Sequence, residues 1–415
     1  MGIVVQKFGG TSVASVEKMR RCAQHVLRER ASGHDVIVTV SAMGKTTDQF
    51  VALAAEASDN PSRREMDMLL SSGERISIAL MAMVLESMGQ PAISFTARQI
   101  GMTTDSSFTR ARIESIDADV LKNELARGKV AIVAGFQGVT KEGDVTTLGR
   151  GGSDTTAVAV AAAVGADVCE IYTDVDGVYT TDPRKVPSAR RLERVGTEEM
   201  LELASMGAGV LHPRAVLFAA KFGVPIHVRH SQRDDAGTII APGDQNKQGG
   251  QMERIEVTGI ALKDGLGRVT LEGIPDTPGV AARVFASLAE RTIVVDDIIQ
   301  TVTVEDGKKK ATVSFTVDHG ELSDMRPVLD ALLQDIGGGT STIDVGFSKV
   351  SVVGAGIGSH AEVASTMFRA LADAGINIAN ISTSEIKVGV LIDKTDGERA
   401  LSLLHEAFGL GASPT

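Results

Sequence analysis

Over the first 240 residues, short apolar runs alternate with longer stretches whose apolar positions recur at helical spacing. Ile3 to Lys7, Asp35 to Val40, Ala92 to Phe95, Val130 to Ala134, Asp167 to Tyr172 and Pro225 to Val228 are the short runs. They predict buried strands. Val13 to Arg30, the stretch ending at Ala57, Arg63 to Met88, Ile116 to Arg127, Thr155 to Val164, Thr197 to Ser205 and Pro213 to Phe222 predict helices. In Arg63 to Met88, residues Met66, Leu69, Leu70, Ile76, Leu80, Met83 and Val84 mark one apolar face, and Ser72-Gly73-Glu74-Arg75 interrupts it. Strand–helix alternation with apolar strands gives an α/β fold, a mostly parallel sheet with helices on both faces.

Ligands bind such sheets at the carboxyl ends of the strands. Four polar or glycine-rich stretches follow directly on a strand, starting at Phe8, Ser41, Gly135 and Thr173. Phe8-Gly9-Gly10-Thr11-Ser12 leads from strand to helix, a layout that cradles phosphates with main-chain N–H groups, and Lys7 at the strand end would project over it. No Walker pattern is present. Gly149-Arg150-Gly151-Gly152-Ser153-Asp154 opens another helix, with Ser153 as its predicted N-cap. Arg150 offers a planar fork to a carboxylate or phosphate, and Asp154 brings a negative charge to the same place. A plain βα turn and an ordinary cap are the competing explanations for each stretch taken alone. Glycine in mid-helix costs about 1 kcal/mol against alanine, so Gly73 hints at a close backbone approach beside Glu74; a solvated Glu74–Arg75 pair explains the residues more simply. His212, before Pro213, reads as a helix cap.

Arg233 to Gly250 is polar and aperiodic and is expected to be a linker. Beyond it a pattern repeats. Arg268 to Gly273, then a helix through Phe285 and Leu288, then Ile293, is echoed by Lys349 to Gly354, a helix through Phe368 and Leu371, then Ile376. Each unit reads βαββαβ, so a small α+β module is duplicated. The expected divisions are 1–240 for the α/β domain, 241–254 for the linker, 255–346 for the first module and 347–415 for the second.

Composition narrows the reading. The net charge of −11 without a basic run argues against nucleic acid and anionic membrane as partners. No uninterrupted apolar run approaches the roughly 20 residues that span a bilayer, and the N-terminus reads as a first strand rather than a signal peptide. Two cysteines, Cys22 and Cys169, supply no disulfide framework and suit a reducing, cytoplasmic setting.

Lys-Phe-Gly-Gly-Thr-Ser-Val at 7–13, Leu-Gly-Arg-Gly-Gly-Ser-Asp at 148–154 and Thr-Asp-Val-Asp-Gly-Val-Tyr-Thr-Thr-Asp-Pro-Arg at 173–184 resemble the signatures of aspartokinases in the amino-acid kinase superfamily. The repeated modules resemble ferredoxin-like ACT domains, small amino-acid sensors. The resemblance implies transfer of the ATP γ-phosphate to the β-carboxylate of L-aspartate, the step that opens lysine, threonine, methionine and isoleucine biosynthesis. It makes Lys7 and Asp154 catalytic. Thr47, Glu74, Phe136, Arg150 and Ser153 match the family's aspartate positions, with Arg150 on the α-carboxylate and Glu74 on the ammonium. ATP is expected at Lys7, Gly9, Gly10, Thr173, Asp174, Tyr179 and Arg184, with Mg2+ held mainly by phosphates and no protein metal cage. Gly209 departs from members that carry a lysine near the nucleotide.

The resemblance further implies inhibition by lysine, threonine or both through the ACT modules. Asp276, Thr277, Gly279 and Val280 form the first strand–helix turn. Gln300, Thr301 and Ser314 lie on strands beside it, and Asn377, Ile378, Asn380 and Ser382 correspond in the second module. Some members pair a long chain with a short one from an internal start, and Met252 is the candidate here; a homo-oligomer is the alternative. A glutamate-kinase type of enzyme on the same fold, or a sensor without catalysis, are the competing functions. The intact Lys7 and Asp154 argue against the second.

Overall fold

The computed structural model describes residues 2–207, 209–242, 257–291, 293–305, 307–322 and 325–411. Met252 and most of the expected linker lie outside them. The chain divides into two compact units, Met1–Thr180 with Arg190–Met252, and Thr181–Ala189 with Glu253–Thr415.

The first unit is built on an eight-stranded sheet. Its order is Arg194–Gly196, Thr238–Ala241, Ile226–His230, Val168–Thr173, Ile3–Phe8, Asp35–Val40, Val130–Ala134 and Ala92–Phe95. Every pairing is parallel except that of Ile226–His230 with Thr238–Ala241. The inner strands are buried along almost their whole length and mostly apolar, as expected where helices cover both faces. One core joins Phe8, Val36, Val38, Val40, Val130, Ile132 and Ala134 to Met19, Cys22 and Val26 of helix α1 (Val16–Ala31) and to Ile78, Met81 and Leu85 of a second helix, Ser72–Ser87. Cys22 and Cys169 are free and buried, and burial pushes the Cys22 thiol up to about 12.

Several boundaries differ from the sequence pattern. The expected linker contributes a strand, Thr238–Ala241, whose Thr238 and Ile240 are buried in the sheet. Its alternation of inward Thr238 and Ile240 is only two residues deep, too short for periodicity to register. Arg194–Gly196 and a small sheet of Thr103–Thr104, Ile113–Ser115, Gln137–Val139 and Val145–Thr147 were equally silent. The predicted helix Arg63 to Met88 is two, α3 (Arg63–Leu70) and α4 (Ser72–Ser87), broken at Ser71. By length and composition 63–87 could cross a membrane, but half of its most apolar window is buried in the protein and it serves as a core helix pair.

One buried charge anchors the sheet. Glu170 stands in register between Gln6 and His227 on its two neighbouring strands. It accepts from Gln6 Nε2 at 2.8 Å and Tyr172 Oη at 3.1 Å, and pairs with Arg229 Nη1 at 3.1 Å. Burial alone would raise its pKa; the His227 ring 3.7 Å away, the Gln6 hydrogen bond and the Arg229 charge hold it down at about 2.

The second unit is one six-stranded antiparallel sheet, in the order Asp296–Glu305, Lys308–Asp318, Gly259–Pro275, Thr340–Val353, Lys387–Asp393, Asn380–Ser384. Two long strands serve both modules. Gly267–Glu272 pairs with Val345–Thr340 in the first module, while Gly259–Lys263 pairs with Val353–Lys349 in the second, with irregularities between. The first core, around Val269, Val284, Phe315 and Leu329, lies under helices Val280–Ala289 and Met325–Ile336. The other core, around Ile260, Val350, Met367 and Leu404, lies under Ala361–Asp373 and Gly397–Ala407.

Because Glu170 is depressed, the stability it lends is complete above the ordinary glutamate range, near pH 4.5, and disappears as pH falls toward 2. Urea titrations of Glu170→Gln should show a clear loss at pH 7, and a gap to the parent protein that closes between about pH 5 and 2. A gap independent of pH would mean that shape, not charge, matters at this position.

Candidate active site

The four predicted turns meet because main-chain hydrogen bonds stitch adjacent strand ends. Ser41 N–H donates to Phe8 O at 3.1 Å, Gly135 N–H to Val40 O at 3.0 Å, Gly9 N–H to Tyr172 O at 3.4 Å and Ser231 N–H to Thr173 O at 2.8 Å. The first two turns nearly touch. Gly44 N–H donates to Gly10 O at 3.0 Å, and a Cβ on Gly10 would come 2.7 Å from Ala42 O. Gly10 is thus required by packing as well as by any ligand.

Lys7 and Asp154 form an ion pair, Nζ to Oδ1 2.5 Å, with both side chains nearly buried. Lys7 is the last residue but one of its strand, and Asp154 lies in the first turn of helix α6, Gly152–Val164. The sequence reading placed the cap of this helix at Ser153. The structure places it at Gly151, whose φ of +65° and contact with His212 leave no room for a side chain: a Cβ there would lie 2.1 Å from His212 Cβ. Ser153 is buried inside the helix, against Gly135, where a Cβ would meet its Oγ at 2.6 Å. His212 does cap its own helix, Pro213–Phe222, accepting from Arg214 N–H at 3.3 Å.

Phe136 has φ +68°, a strained conformation for a bulky residue. It is held by its N–H on Thr156 Oγ1 at 3.1 Å and by its carbonyl on Leu148 N–H at 2.9 Å. Gly152 packs on its ring edge, where a Cβ would approach to 2.8 Å.

Glu74 is buried. Ala42 N–H donates to its Oε1 at 3.0 Å, and its Oε2 is buried with no hydrogen-bond partner. The close approach suggested by Gly73 is present, because a Cβ there would lie 2.7 Å from Ala42 Cβ. The simpler solvated pair with Arg75 does not describe Glu74. Burial pushes its carboxyl up to about 7 against one hydrogen bond from Ala42 and one from its own backbone.

Thr47 is half-buried in the first turn of Thr46–Ala57. Arg150 is exposed in the turn before α6. Thr173 Oγ1 donates to Asp174 Oδ1 at 3.1 Å, and Tyr179 Oη to Asp176 Oδ1 at 3.0 Å. Arg184 belongs to the second unit and is gripped by Asp182 at its backbone N–H, 2.9 Å, and at Nε and Nη2, 3.0 and 2.9 Å. Among the described residues no three His, Cys, Asp or Glu side chains are grouped to hold a metal. In the second unit, Asp276, Thr277 and Gly279 form an open turn, Gly279 with φ +95°. Val280 is buried in the first core and Ile378 packs on the second. Gln300 and Thr301 are exposed, and Ser314, Asn380 and Ser382 are half-buried; Asn377 is exposed.

Two supporting residues escaped the sequence reading. Asp67, fully buried, accepts from Thr109 N–H and Thr147 N–H, both at 2.9 Å, and from Thr147 Oγ1 at 2.6 Å. Arg214 donates to Leu148 O at 2.8 Å and Ala111 O at 2.7 Å, fixing the chain just before Gly149. Asp67 was detectable: it stands three residues before Leu70 and seven before Glu74, on the buried face of its helix.

A nearly buried cation over a glycine turn at the carboxyl edge of a parallel sheet, with an anion from a helix start, suits an enzyme that handles a small phosphorylated ligand. Residues 2–230 match the amino acid kinase family, and 269–336 and 350–408 match ACT domains. The aspartokinase of Mycolicibacterium smegmatis is 50% identical over 99% of this chain and 97% of its own. E. coli aspartokinase III in complex with aspartate and ADP (R-state) superposes with a TM-score of 0.82 at 29% identity, covering 98% of this chain and 99% of that one. The same enzyme in complex with lysine and aspartate (T-state) gives 0.72 at 29%, with the same coverage. The chain belongs to the aspartokinases of the amino acid kinase family. It is an ATP-dependent kinase acting on a carboxyl group.

Glu74 titrates high, so its charge weighs on the folded protein increasingly from about pH 4.5 to pH 7 and fully above. Glu74→Gln keeps an acceptor for Ala42 N–H and removes that charge. Thermal melts without ligand should show it more stable than the parent by about 3 kcal/mol at pH 8, and nearly equal to it at pH 4.5. Equal stability at both pH values would place Glu74 in contact with water.

Proposed function

We propose that Glu74, Arg150, Phe136, Ser153 and Thr47 bind L-aspartate, and that Lys7, Asp154 and the Gly9-Gly10 amides act on the phosphates of ATP. The observation that carries this is the orphaned, buried Oε2 of Glu74 on the same stitched edge as the Lys7–Asp154 pair. An ammonium ion is the natural partner for a buried carboxylate with one bond to spare. Its arrival would restore the charged form that burial now disfavours. Arg150, in the turn before α6, suits the α-carboxylate with a bidentate fork.

The β-carboxylate of aspartate is already ionised, so no base is needed to activate it. Transfer then depends on in-line placement and on neutralising charge. A lysine ammonium about 4 Å from a phosphoryl oxygen gains on the order of 4 kcal/mol at an effective dielectric of about 20. Asp154 pairs with Lys7 beside the glycine turn and so places its ammonium for the phosphates. The strained loop at Phe136, pinned by Thr156 and Leu148, orders a wall of the acceptor side. Thr173, Asp174, Tyr179 and Arg184 take the nucleotide. Mg2+ would be held chiefly by phosphate oxygens, with Asp154 as the nearby carboxylate; it supplies charge neutralisation to the phosphates.

Lysine, threonine or both act through Asp276, Thr277, Gly279, Val280, Gln300, Thr301, Ser314, Asn377, Ile378, Asn380 and Ser382. Val280 and Ile378 are core residues, so their share would come through main-chain atoms. A short chain starting at Met252 would hold both modules, since the strand Gly259–Pro275 they share lies wholly beyond it. A hetero-oligomer with such a chain, or a homo-oligomer, in the cytoplasm completes this reading.

ADP release with aspartate, with glutamate and without acceptor tests the substrate; turnover only with aspartate is expected, and equal rates with glutamate would refute it. Arg150→Lys should raise the aspartate KM tenfold or more, roughly the loss of a bidentate contact, with the ATP KM unchanged. An unchanged aspartate KM would remove Arg150 from the carboxylate. Asp154→Asn should cut turnover by at least about 100-fold while the protein still melts cooperatively; turnover near the parent value would make the ion pair structural only.

A further inference from the structure

Two short segments of the first unit, 109–111 and 147–148, run side by side just before the turn that carries Arg150. Ala111 N–H donates to Thr147 O at 2.9 Å. Gly149, with φ +77°, packs so closely on the other segment that a Cβ there would lie 3.0 Å from Thr109 O. Thr109 itself holds φ +72°, a strained conformation for a β-branched residue, so something must keep it there.

One anion and one cation do so, and both grip the same two segments. Asp67 of α3 accepts the N–H of Thr109 and the N–H of Thr147, each at 2.9 Å, and the Thr147 hydroxyl at 2.6 Å. Arg214, in the first turn of Pro213–Phe222, donates to Ala111 O at 2.7 Å and to Leu148 O at 2.8 Å. The carboxylate thus takes one N–H from each segment, and the guanidinium one carbonyl from each. Among the described residues neither charge is in an ion pair. Burial raises the pKa of Asp67 against its bonds from Thr147 and Thr109, and burial with the Arg112 charge lowers that of Arg214.

Stability does not account for this arrangement, because an uncompensated charge taken out of water is costly and apolar side chains fill such places more cheaply. Geometry does. Leu148 is fixed at both main-chain groups, its N–H on Phe136 O at 2.9 Å and its carbonyl on Arg214. Gly152 N–H then closes the turn on Gly149 O at 3.0 Å. Arg150 is the exposed residue inside that closed turn, two positions after Leu148, so the place from which its side chain starts is set by the clamp.

We propose that Asp67 and Arg214 are positioning residues for the acceptor: together they hold the turn at 148–152 so that Arg150 meets a carboxylate with its fork already placed. The proposal rests on the reading of Arg150 as the α-carboxylate contact. Loosening either end of the clamp weakens aspartate and leaves ATP alone.

The test uses the full-length chain and the variants Arg150→Lys, Arg214→Lys, Asp67→Asn and the Arg150→Lys/Arg214→Lys pair, with KM for aspartate and for ATP measured in each. A lysine cannot reach two carbonyls with one planar fork, and an asparagine cannot accept with both of its ends. Arg214→Lys and Asp67→Asn are each expected to raise the aspartate KM about fivefold or more, with the ATP KM within about twofold. The pair should be no worse than Arg150→Lys alone, because a fork already removed cannot be misplaced. An unchanged aspartate KM in Arg150→Lys overturns the reading of Arg150, and the proposal with it. A raised KM there, with both clamp variants at the parent value, overturns the positioning role and leaves Arg150 in place. Multiplied effects in the pair, or a parallel rise in both KM values, show a clamp that serves packing only and also overturn it. Should Asp67→Asn fail to fold, Arg214→Lys, at a half-buried side chain, decides alone.

Discussion

The structure turns on a cation and an anion that have both been taken out of water. Lys7 ends an apolar strand and Asp154 begins an apolar helix, and each would be costly there without the other. Their 2.5 Å contact fixes the distance between strand end and helix start. The glycines nearby answer to other neighbours: a side chain at Gly10, Gly151 or Gly152 would strike Ala42, His212 or Phe136. An ion pair of this kind adds little to stability. What it fixes is the place of the lysine ammonium, 3.4 Å from where a side chain on Gly9 would begin.

Glu74 is the complementary case. It is a buried carboxylate with half its bonding capacity unused, and the protein tolerates it at a cost that rises with pH. Glu170, on a strand of the same unit, shows the same residue type treated in the opposite way, surrounded by Gln6, Tyr172, His227 and Arg229 until it titrates at about 2. Two buried glutamates on one fold thus titrate in opposite directions, and the hydrogen bonds and charges that each receives are the difference.

The second unit solves a different problem. A single small α+β module buries little apolar surface. Here two modules share the strands Gly259–Pro275 and Thr340–Val353, so one continuous sheet supports both cores and neither is an independent bead on the chain. Val186, arriving from the middle of the kinase sequence, fills a place in the second core.

The alternation of apolar runs and amphipathic stretches determined the α/β sheet, and the helices Thr197–Ser205 and Pro213–Phe222 were legible to the residue, because their faces are long and their caps explicit. Lys7 was legible as a candidate at a strand end and Asp154 at a helix start; Glu74, Phe136 and Ser153 entered as aspartate positions through the family resemblance, with only Gly73 hinting at Glu74. Tertiary structure decided the rest. A strand three or four residues long, such as Arg194–Gly196 or Thr238–Ala241, carries too few positions to show a period and is stabilised only by its neighbours. Gly151 rather than Ser153 caps α6 because His212, sixty residues away, occupies the space a side chain would need. Asp67 and Arg214 hold the site from behind through main-chain carbonyls and amides, which leave no mark on the sequence of the partner. The duplicated modules were visible as a repeat, but a repeat in sequence says nothing of which strand halves pair. That depends on register across eighty residues, and only packing fixes it.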